Sequence, residues 1–380
     1  MAKNGNGEGS IYEHKRNGKK VGYRGAYWVY TSDGPKRRYV QGKTRAEVNQ
    51  KLTKVMADRD GGLVFDAGSI TVGEYLERWL KDSVRGTVRQ STYERYEYAV
   101  HPYTRLGLGR IKLKSLTPVH VRGFYREKLD SGLSSATVHK MHIVLHKALA
   151  QAVSDGLIPR NVAEGVKVPQ TRQKEIQPLN PEQTRLLLDA ARDDKLEALY
   201  VLAVHTGLRQ GELLALKWEN VDLECGVLRV RHTLTRKGGK VTLGEPKTKK
   251  SRRSVELTSA AVEALQTHLS RQLEEMERLG SLYRPGGLVF ANEIGGLINP
   301  SNLRNRSFAR LLKRAGLSPD TRFHDLRHTC ATLLLSRNVN PKIVSEMLGH
   351  SSIAITLDTY SHVLPTMQES AVRALEDALK

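Results

Sequence analysis

The stretch Pro169-Gln-Thr-Arg-Gln-Lys-Glu-Ile-Gln-Pro178 most constrains how this chain can fold, because it divides 380 residues into bodies that must each build a core. It is polar, poor in apolar residues and bounded by proline, which marks a linker rather than a buried element. A chain of this length also exceeds one ordinary hydrophobic core, so two or three domains are expected.

Upstream of the linker the pattern changes once more. Ser10–His14, Tyr23–Tyr30 and Arg37–Val40 are rich in aromatic and β-branched residues, with Asn17-Gly18 and Asp33-Gly34 as turns between them. These segments predict a small antiparallel sheet in which Trp28 and either Tyr27 or Tyr30 alternate between faces. Thr44-Arg-Ala-Glu47 reads as a capping box starting a helix through about Arg59, and Asp60-Gly-Gly62 stops it. From about Val64 to Val168 the apolar spacing is helical: Val72–Leu80, a run opening at Ser91, Thr117–Leu129 and Ser134–Gly156 give four to five short helices. Beyond the linker, Asn180-Pro181 caps another helix. Residues 226–258 interrupt the helical pattern: Val227–Thr235 and Arg252–Leu257 alternate as strands, and Lys237-Gly-Gly-Lys240 turns between them. The expected fold is therefore multidomain α+β. It comprises a three-stranded sheet plus helix over 1–62, a helical domain over 63–168, a linker over 169–179, and a mostly helical domain with a small antiparallel sheet over 180–380.

The last of these carries the chemistry. Thr206-Gly-Leu-Arg-Gln-Gly-Glu-Leu-Leu-Ala-Leu216 places Arg209 after a glycine turn and before an apolar helical run, where its forked donors can hold two phosphate oxygens. In His324-Asp-Leu-Arg-His-Thr329 the i, i+3 spacing puts His324 and Arg327 on one helix face. Leu348-Gly-His-Ser-Ser352 adds the imidazole of His350, and ten residues later comes Tyr360 in Leu-Asp-Thr-Tyr-Ser-His362. A nucleophile, cationic donors for the non-bridging oxygens and imidazoles for proton transfer are what attack on a phosphodiester requires. His324 and His328 also stand at a zinc-ligand spacing, but no His-Glu-x-x-His pattern or third ligand accompanies them and Arg327 lies between. No metal is expected, and His328 reads as a structural donor in its own helix. The stripe His139, His142, His146 reads as a DNA-facing or packed polar stripe rather than a metal site.

Together these blocks resemble the tyrosine recombinase family, of the phage-integrase type, over roughly residues 176–365. The resemblance implies that Arg209 and Arg327 clamp the phosphate, that His324 and His350 occupy the family's two His positions, and that Tyr360 is the nucleophile. It further implies that Glu212 supports the site from behind and that Lys247, in Glu-Pro-Lys-Thr-Lys-Lys-Ser-Arg-Arg-Ser254, is the general acid, placed on a mobile loop between strands with Lys249 and Lys250 close by. Residues 1–62 resemble an arm-type DNA-binding domain, with Arg24, Tyr27, Trp28 and Arg38 as candidate contacts on a face the sequence leaves open. Residues 63–168 resemble a core-binding domain, with Arg85, Arg89, Arg95 and Lys140 as candidate phosphate contacts or as parts of a solvated charged face. The activity implied is site-specific recombination of mobile DNA through a 3′-phosphotyrosyl intermediate, with no ATP, metal or other cofactor. The implied partners are double-stranded attachment sites, a homotetramer on DNA and an accessory protein that bends DNA or sets direction. A type IB topoisomerase and a chromosome-dimer resolvase share much of this set, but the first lacks the arm-like domain and the second normally lacks residues 1–62. A non-catalytic DNA-binding regulator has no need of Tyr360.

Charge agrees with a nucleic-acid partner. The chain has 61 Lys and Arg against 40 Asp and Glu, a net charge of +21. The excess is +8 over 1–62, +8 over 63–174 and +5 over the remainder, so the two N-terminal regions carry most of it per residue. Cys225 and Cys330, far apart and without metal or redox spacing, suit a reducing compartment. No signal peptide or membrane span is read in the sequence. A soluble protein of the bacterial cytoplasm, associated with the nucleoid, is expected.

Overall fold

The computed structural model describes residues 10–16, 18–31, 34–60, 70–105, 107–168, 177–237, 240–246, 251–361, 372 and 375–379. The chain divides into two compact units, Met1–Gln173 and Lys174–Lys380. The expected linker falls mostly outside the described residues, as does Lys247.

The first unit opens with an antiparallel sheet of β1 (Ser10–Arg16), β2 (Lys19–Thr31) and β3 (Gly34–Gly42) in that order. The central strand is longer than its β-branched and aromatic stretch predicts, because β1 pairs with its first part, from Lys19 to Ala26, and β3 with its second, from Tyr23 to Thr31. Helix α1 (Arg45–Asp60) covers one face. Gly25 permits this approach, since a Cβ there would lie 2.9 Å from Val48 Cγ1, and Val48 and Leu52 are buried. Thr44 Oγ1 accepts the Glu47 N–H, but the Glu47 carboxylate returns its bond to the N–H of Lys43 rather than Thr44, so the expected capping box closes one residue early.

Strand alternation puts Tyr12, Arg24, Trp28, Arg37 and Tyr39 on the face away from α1. There the Arg24 guanidinium lies 4.0 Å from the centroid of Tyr39, and Arg37 lies 6.0 Å from that of Trp28. Arg38, paired with Tyr27, stands on the opposite side from Arg24 and Trp28.

A helical bundle follows: α2 (Val72–Trp79), prolonged by a π turn over Leu80–Val84, α3 (Gln90–Arg105), α4 (Pro118–Asp130) and α5 (Ser135–Ser154). Side chains of Thr71, Thr117 and Ser134 cap α2, α4 and α5. The largely aliphatic core includes stacked aromatics, Tyr103 on Phe124 at 4.8 Å and Trp79 on Tyr96 at 5.9 Å. The buried Tyr75 phenol donates to the Ala148 carbonyl at 2.7 Å. His142 is packed, its Nδ1 3.2 Å from Tyr125 Oη, whereas His139 is exposed. Arg85, Arg89, Arg95 and Lys140 are all exposed.

The second unit begins with α6 (Pro181–Ala191), capped by Asn180, followed by the buried α7 (Glu197–Thr206) and the single turn α8 (Gln210–Leu213). Next come β4 (Val221–Asp222), β5 (Val227–Val230), β6 (Thr233–Lys237), β7 (Lys240–Gly244) and β8 (Arg253–Glu256). The expected strand Val227–Thr235 is in fact two. Its first part pairs with β8 only as far as Val230↔Arg253, in a sheet of order β4-β5-β8. After Arg231 and His232 the chain re-pairs locally, β6 with β7, as a separate hairpin around the anticipated turn.

The long α9 (Ser259–Leu279) follows. Then α10 (Pro300–Asn302) runs through a π-helical stretch, Leu303–Phe308, into α11 (Ala309–Arg314). Last come α12 (Asp325–Ser336), α13 (Pro341–Leu348) and α14 (Ile353–Tyr360). Leu199, Leu202, Leu213, Phe290, Phe308 and Leu326 are among the residues of the main core, and Ala331, Leu335, Val344 and Leu348 form a smaller cluster around Tyr360. Among the described residues no helix is long and apolar enough to cross a membrane.

Candidate active site

Two glycine turns, two helix starts and one helix end assemble the site. Gly207 ends α7 in the left-handed region, φ +60°, and its carbonyl accepts a hydrogen bond from Arg327 Nη1 at 2.8 Å. Two residues on, Arg209 occupies the N-cap position of α8. Its backbone N–H donates to Glu212 Oε2 at 3.0 Å, its Nη1 to Glu212 Oε1 at 2.9 Å and its Nη2 to the Gly349 carbonyl at 3.1 Å. Those side-chain bonds engage two of the five N–H groups of the guanidinium.

Glu212 is buried and also receives Arg253, Nη2 to Oε2 at 3.0 Å and Nη1 to Oε1 at 3.3 Å. Arg253 Nε in turn donates to the Met347 carbonyl at 2.6 Å. One carboxylate thus gathers two arginines, and both arginines grip the turn that leads from α13 to His350. Gly349, φ +66°, passes so close that a Cβ would lie 2.8 Å from Arg253 Nη1.

Arg327 sits in the first turn of α12 with its side chain almost fully buried. Its Nη2 has no hydrogen-bond partner. Such a group is rare in a folded protein and calls for an acceptor. His324 lies at the mouth of the same helix as its N-cap residue, and its ring meets His328 edge-on at 5.0 Å. His350 Nδ1 is 2.7 Å from Thr356 Oγ1. Tyr360, at the end of α14, is 1 % exposed, with its phenolic oxygen 2.8 Å from His328 Nδ1.

The electrostatics follow from burial among cations. Burial pushes the Tyr360 phenol up to about 12, with Arg327 opposing. Burial, then the neighbouring His324, lowers His328 to about 4, and burial with Arg327 and Arg209 lowers His350 to about 4. His324 is shifted down for the same reasons, burial first and then Arg327 and Arg209. All three imidazoles are therefore neutral at physiological pH. Burial alone would raise the Glu212 carboxyl, but the charge and hydrogen bonds of Arg253, with those of Arg209, outweigh it and hold the group below its ordinary value. Three guanidiniums around one carboxylate leave an uncompensated positive centre beside a neutral phenol, which is a site built for an anion and a nucleophile.

Arg209, Glu212, His324, Arg327, His350 and Tyr360, separated by up to 151 positions in sequence, belong to one unit and are linked through these contacts. Two participants were not singled out from sequence. Arg253 falls on an inward position of the alternating strand β8, where a charge is informative. His328, read as a structural donor within its helix, instead touches the phenol.

Comparison with known proteins identifies the family. The model of the phage integrase family matches residues 177–367, and that of the phage integrase N-terminal SAM-like domain matches residues 71–129. A tyrosine recombinase XerC-like protein of Caldanaerobacter subterraneus subsp. tengcongensis is 34% identical over 383 residues, covering 95% of this chain and 97% of the relative. The chain belongs to the tyrosine recombinases of the phage integrase family. This recombinase is a site-specific DNA-breaking and rejoining enzyme, and DNA is its partner.

The ICEBs1 integrase of Bacillus subtilis is 27% identical over 290 residues, covering 76% of the recombinase and 78% of that integrase. Among solved structures, the Tn1549 transposon integrase in complex with a circular intermediate DNA superposes with a TM-score of 0.69 at 24% identity, covering 81% of this recombinase and 100% of that chain. A lambda integrase dimer bound to a COC′ core site does so with 0.58 at 20%, covering 92% and 93%. These two likenesses are of fold.

Proposed function

We propose that Tyr360 of this recombinase attacks the scissile phosphate of an attachment site, leaving a 3′-phosphotyrosyl link and a free 5′ hydroxyl, which the hydroxyl of a partner strand later displaces in reverse. The observation that carries the reading is the buried, unpartnered Nη2 of Arg327 within the same cluster as the Tyr360 phenol. Arg327 and Arg209 hold the non-bridging oxygens, and His324 and His350 complete the donor set. Glu212 holds Arg209 in place, and Lys247 protonates the leaving 5′ oxygen. The guanidiniums supply the charge neutralisation that a divalent cation supplies in other phosphoryl-transfer sites, so no cofactor enters the scheme.

Residues 1–62 serve as an arm-binding domain that reads DNA with the face opposite α1. The free aromatic and basic surface of Arg24, Trp28, Arg37 and Tyr39 favours that face. Arg38 would then serve only at the rim. Residues 63–168 clamp the core site, with the exposed Arg85, Arg89, Arg95 and Lys140 on phosphates, and 180–380 form the catalytic domain beyond the 169–179 linker. Four protomers act on two duplexes in the bacterial cytoplasm, at the nucleoid, with an accessory protein bending the DNA or setting direction.

Tyr360→Phe tests the central claim. On a nicked suicide substrate the variant should bind DNA as the wild type does and form no covalent protein–DNA complex. A trapped complex with this variant moves the nucleophile elsewhere.

A further inference from the structure

We infer that His328 is the group that takes the phenolic proton when Tyr360 attacks, and so is a catalytic residue of this recombinase rather than a structural element of α12. This role presupposes Tyr360 as the nucleophile. A phenol with a proton attached is a weak nucleophile, and the proton must go to a group within hydrogen-bond reach. Tyr360 is 1 % exposed, so bulk water does not surround its oxygen, and the ring nitrogen 2.8 Å away belongs to His328. The other imidazoles are differently engaged: His350 Nδ1 meets Thr356 Oγ1, and His324 lies edge-on to the His328 ring.

The placement is fixed from both sides. His328 is held on α12 one residue after Arg327, which Gly207 anchors. Tyr360 is held by the apolar cluster of Ala331, Leu335, Val344 and Leu348. The charged and titratable groups around His328 include His324, Asp325, Arg327, Arg322 and His350 in addition to the phenol. Burial first, then His324, Arg327 and Arg322, outweigh the opposing carboxylate of Asp325 and keep the imidazole unprotonated before reaction, as a proton acceptor must be.

The step balances. The Tyr360 Oη–phosphorus bond forms, the phosphorus–O5′ bond breaks, and the phenolic proton passes to His328 Nδ1 as the leaving O5′ takes a proton from its acid. In rejoining, the incoming 5′ hydroxyl gives its proton back to that acid and the His328 imidazolium returns its own to the departing phenolate. The accepting nitrogen is Nδ1, so the free enzyme must hold His328 as the tautomer protonated on Nε2.

The test uses the full chain on a nicked suicide substrate in single turnover. His328→Asn keeps a hydrogen-bond acceptor near the Nδ1 position but cannot carry the proton, and His328→Gln serves as a second variant. Either should bind DNA like the wild type and cleave on the order of a hundredfold more slowly, the usual scale of general-base assistance. A fluorinated tyrosine at position 360, whose phenol is more acidic, should recover at least about tenfold of that loss, since a weaker base then suffices. A defect smaller than about tenfold in a folded, binding-competent variant overturns the assignment, and so does failure of the fluorinated residue to rescue. In the wild type, ¹⁵N spectra of the histidine rings, with His328 identified by its change on Tyr360→Phe, should show an unprotonated Nδ1. A protonated Nδ1 overturns the role even if neither variant folds. Residual covalent complex in Tyr360→Phe would instead remove the nucleophile itself, a separate failure.

Discussion

Glu212→Gln isolates what the buried carboxylate contributes, because it keeps the shape and removes the charge. In the wild type the carboxylate accepts from Arg253 at 3.0 and 3.3 Å and from Arg209 at 2.9 and 3.0 Å, with the Arg253 and Glu212 side chains 7% and 3% exposed. Removing one partner of such a pair leaves uncompensated buried charge, at a cost of about 3–5 kcal/mol. For a unit of this size each kcal/mol moves the melting temperature by about 2–4 °C, so a fall on the order of 10 °C is expected in calorimetry. The pH dependence gives the sign. The Glu212 carboxyl is held below its ordinary 4.5 in the folded chain, so its stabilisation is complete above that value and fades as pH falls through the folded value. The gap between wild type and variant should therefore be largest near neutrality and close in acid. Combining Glu212→Gln with Arg253→Met should cost less than the two single changes together, with a coupling of about 2 kcal/mol. Additive losses, or a gap that stays constant into acid, would refute the account of Glu212 as the anchor of both arginines.

Three further outcomes are expected. Lys247→Ala should lose most cleavage on a normal substrate and regain it when the 5′ bridging oxygen is sulfur, a leaving group that needs no proton, whereas rescue at Lys249→Ala alone would transfer the role. Gly207→Ala places a Cβ against Leu348 and 3.3 Å from Cys330 Sγ at a left-handed φ, and should lower stability by about 2–4 kcal/mol in denaturation while slowing cleavage through the Arg327 anchor. Deleting residues 1–62 should leave core-site cleavage intact in gel assays and abolish efficient integration, and unchanged integration would sink the arm-binding reading.

How much of this was legible in the sequence depends on the range of the interaction concerned. Arg209, His324, Arg327, His350 and Tyr360 stand in short segments whose local chemistry is distinctive, so each could be named before its neighbours were known. The capped helices α4, α5 and α6 were visible because a cap is a contact over three residues. The partition of Val227–Thr235 into two strands was not, since pairing with β8 at Val230↔Arg253 is decided by a segment more than twenty positions away. Nothing local marks Arg253 among its basic neighbours, although its alternation with the buried Val255 puts it on the inward side. His328 reads as a helix-internal donor in the sequence because nothing within α12 announces that Tyr360, 32 positions later, will return to it.

The packing around Tyr360 has a consequence for inheritance. Its ring fills a cluster of Ala331, Leu335, Val344 and Leu348, and phenylalanine fits the same space with only one hydroxyl missing. A single base change therefore separates the active recombinase from a folded copy that occupies the attachment sites without cutting them. In a cell carrying both alleles, the inactive copy would compete for the same DNA and act as a dominant brake on the mobile element, whereas lesions at Glu212 or Gly207 would lower the amount of folded chain and so compete less.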